Sequence, residues 1–139
     1  MRGHRNTWHI LRKQIGNEQY VWFHAASLGE FEQGRPLMER LRREHPEKKI
    51  LLTFFSPSGY EVRKNYEGAD VVCYLPFDTP LNARKFIRLA KPEAAYFIKY
   101  EFWRNYIDVL HQKDMGCKHQ FKVGVVVEVT NKQVLVGLP

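Results

Sequence analysis

Short apolar runs alternate along this chain with longer stretches of helical periodicity. Tyr20 to Ala26 is an apolar run that stops at a short turn, Ser27-Leu28-Gly29, and predicts a first strand over 20–26. Residues 30–44 place Phe31, Leu37, Met38 and Leu41 on one side and Arg40, Arg42 and Arg43 elsewhere, which predicts a helix ended by His45-Pro46. Gly34 and Pro36 count against its first turns. Lys49 to Phe55 is nearly all apolar, as expected of a strand covered on both faces. Ser56-Pro57-Ser58-Gly59 reads as a turn able to cap a helix near 59–66. Further strands are predicted over 71–75 and 94–99. Between them lies a helix over 81–90, with Asp78 or Thr79 as its N-cap and Pro80 at its first position.

A helix over 102–112 completes the order β-α-β-α-β-α-β-α, which implies a parallel sheet with right-handed crossovers. The lead-in, 1–19, is basic and polar, with Trp8, Ile10, Leu11 and Ile15 at the spacing of a short amphipathic helix. The β-branched runs at 121–129 and 133–136, around Thr130-Asn-Lys132, fit a hairpin. The expected organisation is a lead-in over 1–19, an α/β domain over 20–112, and a tail over 113–139.

Composition adds a partner class. The 139 residues carry a formal net charge of +7, which points to a polyanion: nucleic acid, a phosphorylated substrate or an anionic membrane surface. Arg84, Lys85, Arg88 and Lys91 make the helix over 81–90 strongly basic, and 84, 88 and 91 share a face. A plain solvated face is the competing reading. The aromatic residues sit in core-strand positions, so a nucleic-acid stacking platform is not expected. Cys73 reads as a small core residue, and Cys117 lies too far off to imply a metal pair or disulfide framework. No apolar run is long enough to span a membrane and no signal peptide is visible, so any membrane contact by these residues is expected to be peripheral. Gly-rich dinucleotide and phosphate-loop patterns are absent, and no cofactor or metal is expected.

In a parallel sheet the strand ends share one edge, where ligands bind. That edge would collect Ser27, Gly29 and Glu30, then Ser56, Ser58 and Gly59, then Asp78, then Glu101. A carboxylate there can take the proton of an attacking hydroxyl. Equally, Glu30 can simply stabilise its helix start, worth about 0.3–1 kcal/mol. Glu101 carries the same two readings. His24, inside a strand, reads as a hydrogen-bonded core residue rather than a catalyst.

Five motifs in order bring a family into view. Trp22-Phe-His-Ala-Ala-Ser-Leu-Gly-Glu30 followed by Pro36-Leu37 resembles the opening of the 3-deoxy-D-manno-octulosonic acid (Kdo) transferases. Leu52-Thr53 with Ser56-Pro57-Ser58-Gly59 resembles that family's Thr-x-Thr-x-x-Gly stretch, and Tyr74-Leu-Pro-Phe-Asp78 its Tyr-Leu-Pro-x-Asp. Lys91-Pro92 and Glu101-Phe-Trp-Arg-Asn105 are similar to its Lys-Pro and Glu-x-Trp-Pro-Asn elements, with Arg104 where proline is common. The resemblance covers about residues 20–110 and fades after 112.

It implies a Rossmann-like parallel sheet with flanking helices, the amino-terminal, acceptor-binding half of a GT-B glycosyltransferase. It further implies CMP-Kdo as donor, lipid A precursor as acceptor, and inverting single displacement without a catalytic metal. Glu30 would be the general base. Ser27, Gly29, Ser56, Ser58, Gly59, Asp78, Glu101 and Asn105 would line the substrate side. Family members work at the cytoplasmic face of the bacterial inner membrane and usually begin with a hydrophobic anchor. Most of the donor contacts would lie in a second domain beyond these residues, so the chain alone is expected to be inactive. A non-catalytic basic module binding anionic ligands remains the alternative.

Overall fold

The computed structural model describes residues 2–18, 20–98, 104–116, 122–129 and 133–137. Its elements run α1 (Arg2–Gln14), β1 (Tyr20–Ala25), α2 (Leu28–Glu44), β2 (Lys49–Phe54), α3 (Pro57–Arg63), β3 (Val71–Tyr74), α4 (Pro80–Ala90), β4 (Pro92–Ile98), α5 (Arg104–Gly116), β5 (Lys122–Val129) and β6 (Gln133–Gly137). The strands form one sheet in the order β3-β2-β1-β4-β5-β6. From β3 across to β5 every pairing is parallel, while β6 runs antiparallel to β5. This is the Rossmann-like α/β arrangement expected from the alternation of strands and helices. Strand order reverses between β1 and β4, and in open α/β sheets ligands bind at the carboxyl ends of the strands beside such a reversal.

Both faces of the sheet are covered. Val21, Phe23, Ala25, Ile50, Leu52 and Phe54 point to one side, where Phe31 and Met38 of α2 close the core. Trp22, Leu51, Cys73 and Phe97 point to the other, against Leu11 of α1, Phe86 and Ile87 of α4, and Tyr106 and Leu110 of α5. Trp22 is the hub of this second core, with ring centroids 4.9, 5.2 and 5.8 Å from Phe86, Phe97 and Tyr106. Its indole N–H donates to Thr53 Oγ1 at 2.8 Å. The same hydroxyl meets His24 Nδ1 at 2.8 Å, and burial lowers that imidazole to a pKa of about 3. His24 is therefore a neutral, hydrogen-bonded core residue. Cys73 is buried, and burial pushes its thiol upward.

Two helix starts differ from the sequence expectation. α2 starts at Leu28 with Ser27 as N-cap, so the predicted turn is already its first turn. Pro36 lies inside α2, which runs on to Glu44. Gly34 in the same helix is buried: a Cβ there would run into the Ile98 side chain, so the missing side chain lets α2 close onto β4. α3 likewise begins at Pro57, because Ser56 caps it by accepting the Ser58 N–H on its side chain. α5 is described from Arg104, and positions 102 and 103 of the predicted helix lie outside the described residues. For α4 the expectation was met: Thr79 is the N-cap, accepting the Asn82 N–H at 3.2 Å, and Pro80 follows. α4 ends on Lys91, whose φ of 47° is a left-handed conformation usually given to glycine.

Candidate functional site

Glu30 is the third residue of α2, at the carboxyl end of β1 and beside the strand-order reversal. Its Oε2 accepts the backbone N–H of Ala26 at 2.9 Å. The carboxylate thus reaches back over its own helix start, as the Ser-x-x-Glu spacing of Ser27 and Glu30 allows. Ser27 makes no side-chain capping bond, so the stitch is carried by Glu30. One oxygen suffices for this bond, and a carboxylate has capacity for more on its second.

The Ala26 peptide is held from its other side too. Its carbonyl accepts the Ser56 N–H at 2.8 Å, tying the turn after β1 to the turn after β2. Gly59 makes that approach possible. A Cβ there would collide with the Phe54 ring and come within 3.2 Å of the Leu28 backbone nitrogen. Arg63 of α3 closes the junction by donating to Glu32 of α2 at 2.7 Å. The structure therefore brings Ser27, Gly29 and Glu30 together with Ser56, Ser58 and Gly59. Ser56 and Ser58 share a hydroxyl hydrogen bond at 2.8 Å, and Gly29 and Ser58 are exposed on the edge.

Asp78 and Asn105 are also brought together, with each other as partners. Asp78 Oδ1 accepts the Asn105 N–H at 3.0 Å, satisfying a free donor in the first turn of α5, and the Asn105 side-chain amide donates to the Asp78 carbonyl at 3.0 Å. Tyr106 adds a hydroxyl bond to the Pro76 carbonyl at 2.6 Å. This clasp fixes α5 against the loop after β3. Nothing in the sequence pattern of either residue pairs it with the other, since 27 positions separate them. Glu101 lies outside the described residues. Among the described residues no group of His, Cys, Asp and Glu side chains is arranged to hold a metal ion, and no helix is long and apolar enough to cross a membrane.

Comparison with known proteins agrees with the motif order. The profile of the 3-deoxy-D-manno-octulosonic-acid transferase (kdotransferase) family matches residues 4–117. The 3-deoxy-D-manno-octulosonic acid transferase of Aquifex aeolicus is 40% identical over 88 residues, 63% of this chain and 24% of the relative. That of Haemophilus influenzae is 34% identical over 98 residues, 70% of this chain and 23% of the relative. That of Chlamydia trachomatis serovar D is 30% identical over 105 residues, 74% of this chain and 24% of the relative. The chain spans about a quarter of the length of these curated relatives. With the family profile covering most of it, and with its motifs converging on one edge of a Rossmann-like sheet, the chain belongs to the 3-deoxy-D-manno-octulosonic-acid transferase family.

Proposed function

We propose that this chain is the acceptor-binding part of an enzyme that transfers Kdo from CMP-Kdo to a lipid A precursor, with Glu30 as general base. The observation that carries the proposal is the position of Glu30. It stands at the carboxyl end of β1, beside the reversal of strand order where open α/β sheets bind ligands, and its carboxylate is oriented by the Ala26 N–H. A base held by one oxygen avoids reorganising as the substrate arrives.

In the reaction, the acceptor hydroxyl oxygen forms a bond to the anomeric carbon of Kdo while the bond from that carbon to the CMP phosphate oxygen breaks. The hydroxyl proton passes to the Glu30 carboxylate, and CMP leaves with the bonding electron pair. Attack from the face opposite the leaving group inverts the anomeric centre. Ser27, Ser56, Ser58 and the exposed backbone at Gly29 supply hydrogen-bonding groups for the acceptor beside the base. Asp78 and Asn105 contribute by setting where α5 begins. The reaction needs no metal, and it belongs at the cytoplasmic face of the bacterial inner membrane, where the acceptor lipid resides.

The bond from Ala26 to Glu30 would serve a purely structural carboxylate equally well, and one substitution separates the two readings. In a full-length enzyme carrying these residues and a donor-binding domain, Glu30→Gln keeps a hydrogen-bond acceptor for Ala26 but removes the base. Turnover is expected to fall by at least about a hundredfold with the thermal unfolding profile retained. Turnover near the parent level would leave Glu30 a helix-start residue.

A further inference from the structure

Both backbone groups of Ala26 are held, one by the candidate base and one by a different part of the chain. Its N–H donates to Glu30 Oε2 at 2.9 Å, and its carbonyl accepts the Ser56 N–H at 2.8 Å. The donor that aims the Glu30 carboxylate is therefore placed by the turn after β2. Ser56 fastens that same turn to α3. Its side chain accepts the Ser58 N–H at 3.2 Å, and its carbonyl accepts the N–H groups of Gly59 and Tyr60 at 3.2 and 3.3 Å. Where α3 sits thus decides where the Ser56 N–H points.

α3 can sit where it does because residue 59 has no side chain. A Cβ there would run into the Phe54 ring and lie 3.2 Å from the Leu28 backbone nitrogen. The ring has no room to swing clear, since Phe54 is fully buried with Phe31 of α2 against it, ring centroids 5.7 Å apart. The Leu28 nitrogen belongs to the first residue of α2 and cannot move without the helix. Among the described residues no glycine has a positive φ, so close approach rather than backbone conformation requires glycine at this position. Arg63 holds the far end of α3, donating to Glu32 at 2.7 Å with its guanidinium 5.5 Å from the centre of the Phe31 ring.

We propose that Gly59 is a positioning residue for the reaction: it lets α3 close on the start of α2, which sets Ser56, then Ala26, and through them the carboxylate of Glu30. The inference rests on Glu30 being the base. Gly59 itself is buried, so it acts through its neighbours rather than on the substrate. A methyl group at 59 would push α3 outward and draw the Ser56 N–H off the Ala26 carbonyl. The base would then meet the acceptor hydroxyl in the wrong place, with no substrate-binding group removed.

The test is made in a full-length enzyme carrying these residues and a donor-binding domain. Gly59→Ala is expected to lower kcat at least about tenfold and to leave the KM for CMP-Kdo within about twofold, because a catalytic group misplaced by about 1 Å loses reacting geometry rather than ground-state binding. In a Glu30→Gln background the same substitution should lower the remaining turnover by less than about twofold, since a residue that acts through the base then has nothing to act on. Arg63→Leu loosens α3 without adding an atom to the core; it should lower kcat about threefold, and it too should have no further effect beside Glu30→Gln. Thermal unfolding checks each fold, and if Gly59→Ala does not fold, Arg63→Leu decides. Parent-level kcat in the deciding variant, or an equal loss with and without Glu30, would overturn the proposal. Parent-level turnover in Glu30→Gln removes the base and this proposal together, whereas an inactive Glu30→Gln beside a fully active Gly59→Ala removes only the proposal.

Discussion

On the α2–α3 face, Arg35, Arg40, Arg42, Arg63 and Lys64 each meet a carboxylate: Glu39, Glu44, Asp70, Glu32 and Glu61. On the α1–α4 face, Arg12, Lys13, Arg84, Arg88 and Lys91 meet none among the described residues, and α1 and α4 contain no acid that could serve. The overall charge of +7 is thus the average of a nearly neutral side and a strongly cationic one. The α2–α3 arginines are neutralised by carboxylates of the same chain, whereas the cations beside exposed Leu81 have no carboxylate partner among the described residues. A basic composition becomes informative only after internal ion pairs have been set aside.

The contrast can be broken in three places, starting with the core that holds the cationic layer in position. Among the described residues the α1–α4 layer is tied to the sheet by the Thr7 hydroxyl donating to the Tyr74 carbonyl at 2.7 Å and by the Tyr20 hydroxyl donating to the Gln14 carbonyl at 3.4 Å, and otherwise meets it through apolar packing. Trp22→Ala should cost about 3–5 kcal/mol in urea unfolding, because it opens a cavity among Phe86, Phe97 and Tyr106. A cost below about 1 kcal/mol would mean that the layer is held by something other than this core.

Next comes the strongest pair on the opposite face. Arg42 reaches Asp70 with two guanidinium nitrogens, at 2.5 and 3.1 Å, and Asp70 also accepts the Ile50 N–H at 2.8 Å. Burial opposes ionisation of Asp70, but these donors outweigh it and hold the carboxyl below its ordinary value of 3.8. Asp70→Ala should cost about 1–3 kcal/mol, since the Ile50 N–H and Arg42 both lose their acceptor. The pH dependence has a definite sign. A depressed folded pKa contributes stability that is fully present above pH 3.8 and is lost as pH falls through the lower folded value. Acid unfolding of Asp70→Ala should therefore be shallower than that of the parent in this window, and parallel curves would remove Asp70 from the account.

The smallest effect is expected on the cationic stripe. Arg84→Gln and Arg88→Gln should each leave stability within about 0.5 kcal/mol of the parent. These residues are exposed and make no described ion pair, so a larger loss by thermal unfolding would show that they serve the fold.

Much of the fold was legible because it is written in local patterns. The apolar runs at 20–26, 49–55 and 71–75 became β1, β2 and β3, and Thr79-Pro80 opened α4. Two helices began two residues early, since Ser27 and Ser56 act as N-caps and turn the predicted loops into first turns. Pro36 was tolerated inside α2, where it lies exposed on the solvent side. Of the candidate site, the grouping of Ser27, Gly29 and Glu30 with Ser56, Ser58 and Gly59 was readable, and the Ser-x-x-Glu spacing signals a carboxylate folded back over the start of α2, though not that it takes the N–H of Ala26 in place of that of the N-cap Ser27. Lys91 in a left-handed conformation and the mutual clasp of Asp78 and Asn105 had no local signature.

Periodicity, caps and turn residues act over a few positions, so they are legible in one dimension and specify which segments become strands and which become helices. The order of strands does not follow from them. Placing β4 beside β1 rather than β3 depends on packing two cores against one sheet, and it is that placement which puts Glu30 beside the reversal of strand order. The contacts that shape the site join residues far apart in the chain: Ser56 with Ala26, Gly59 with Leu28, Asn105 with Asp78. Their geometry exists only once the sheet has closed, as does the pairing of the α2–α3 cations with their carboxylates. Charge content is a property of composition, but whether a cation has a carboxylate within reach is a property of the folded chain.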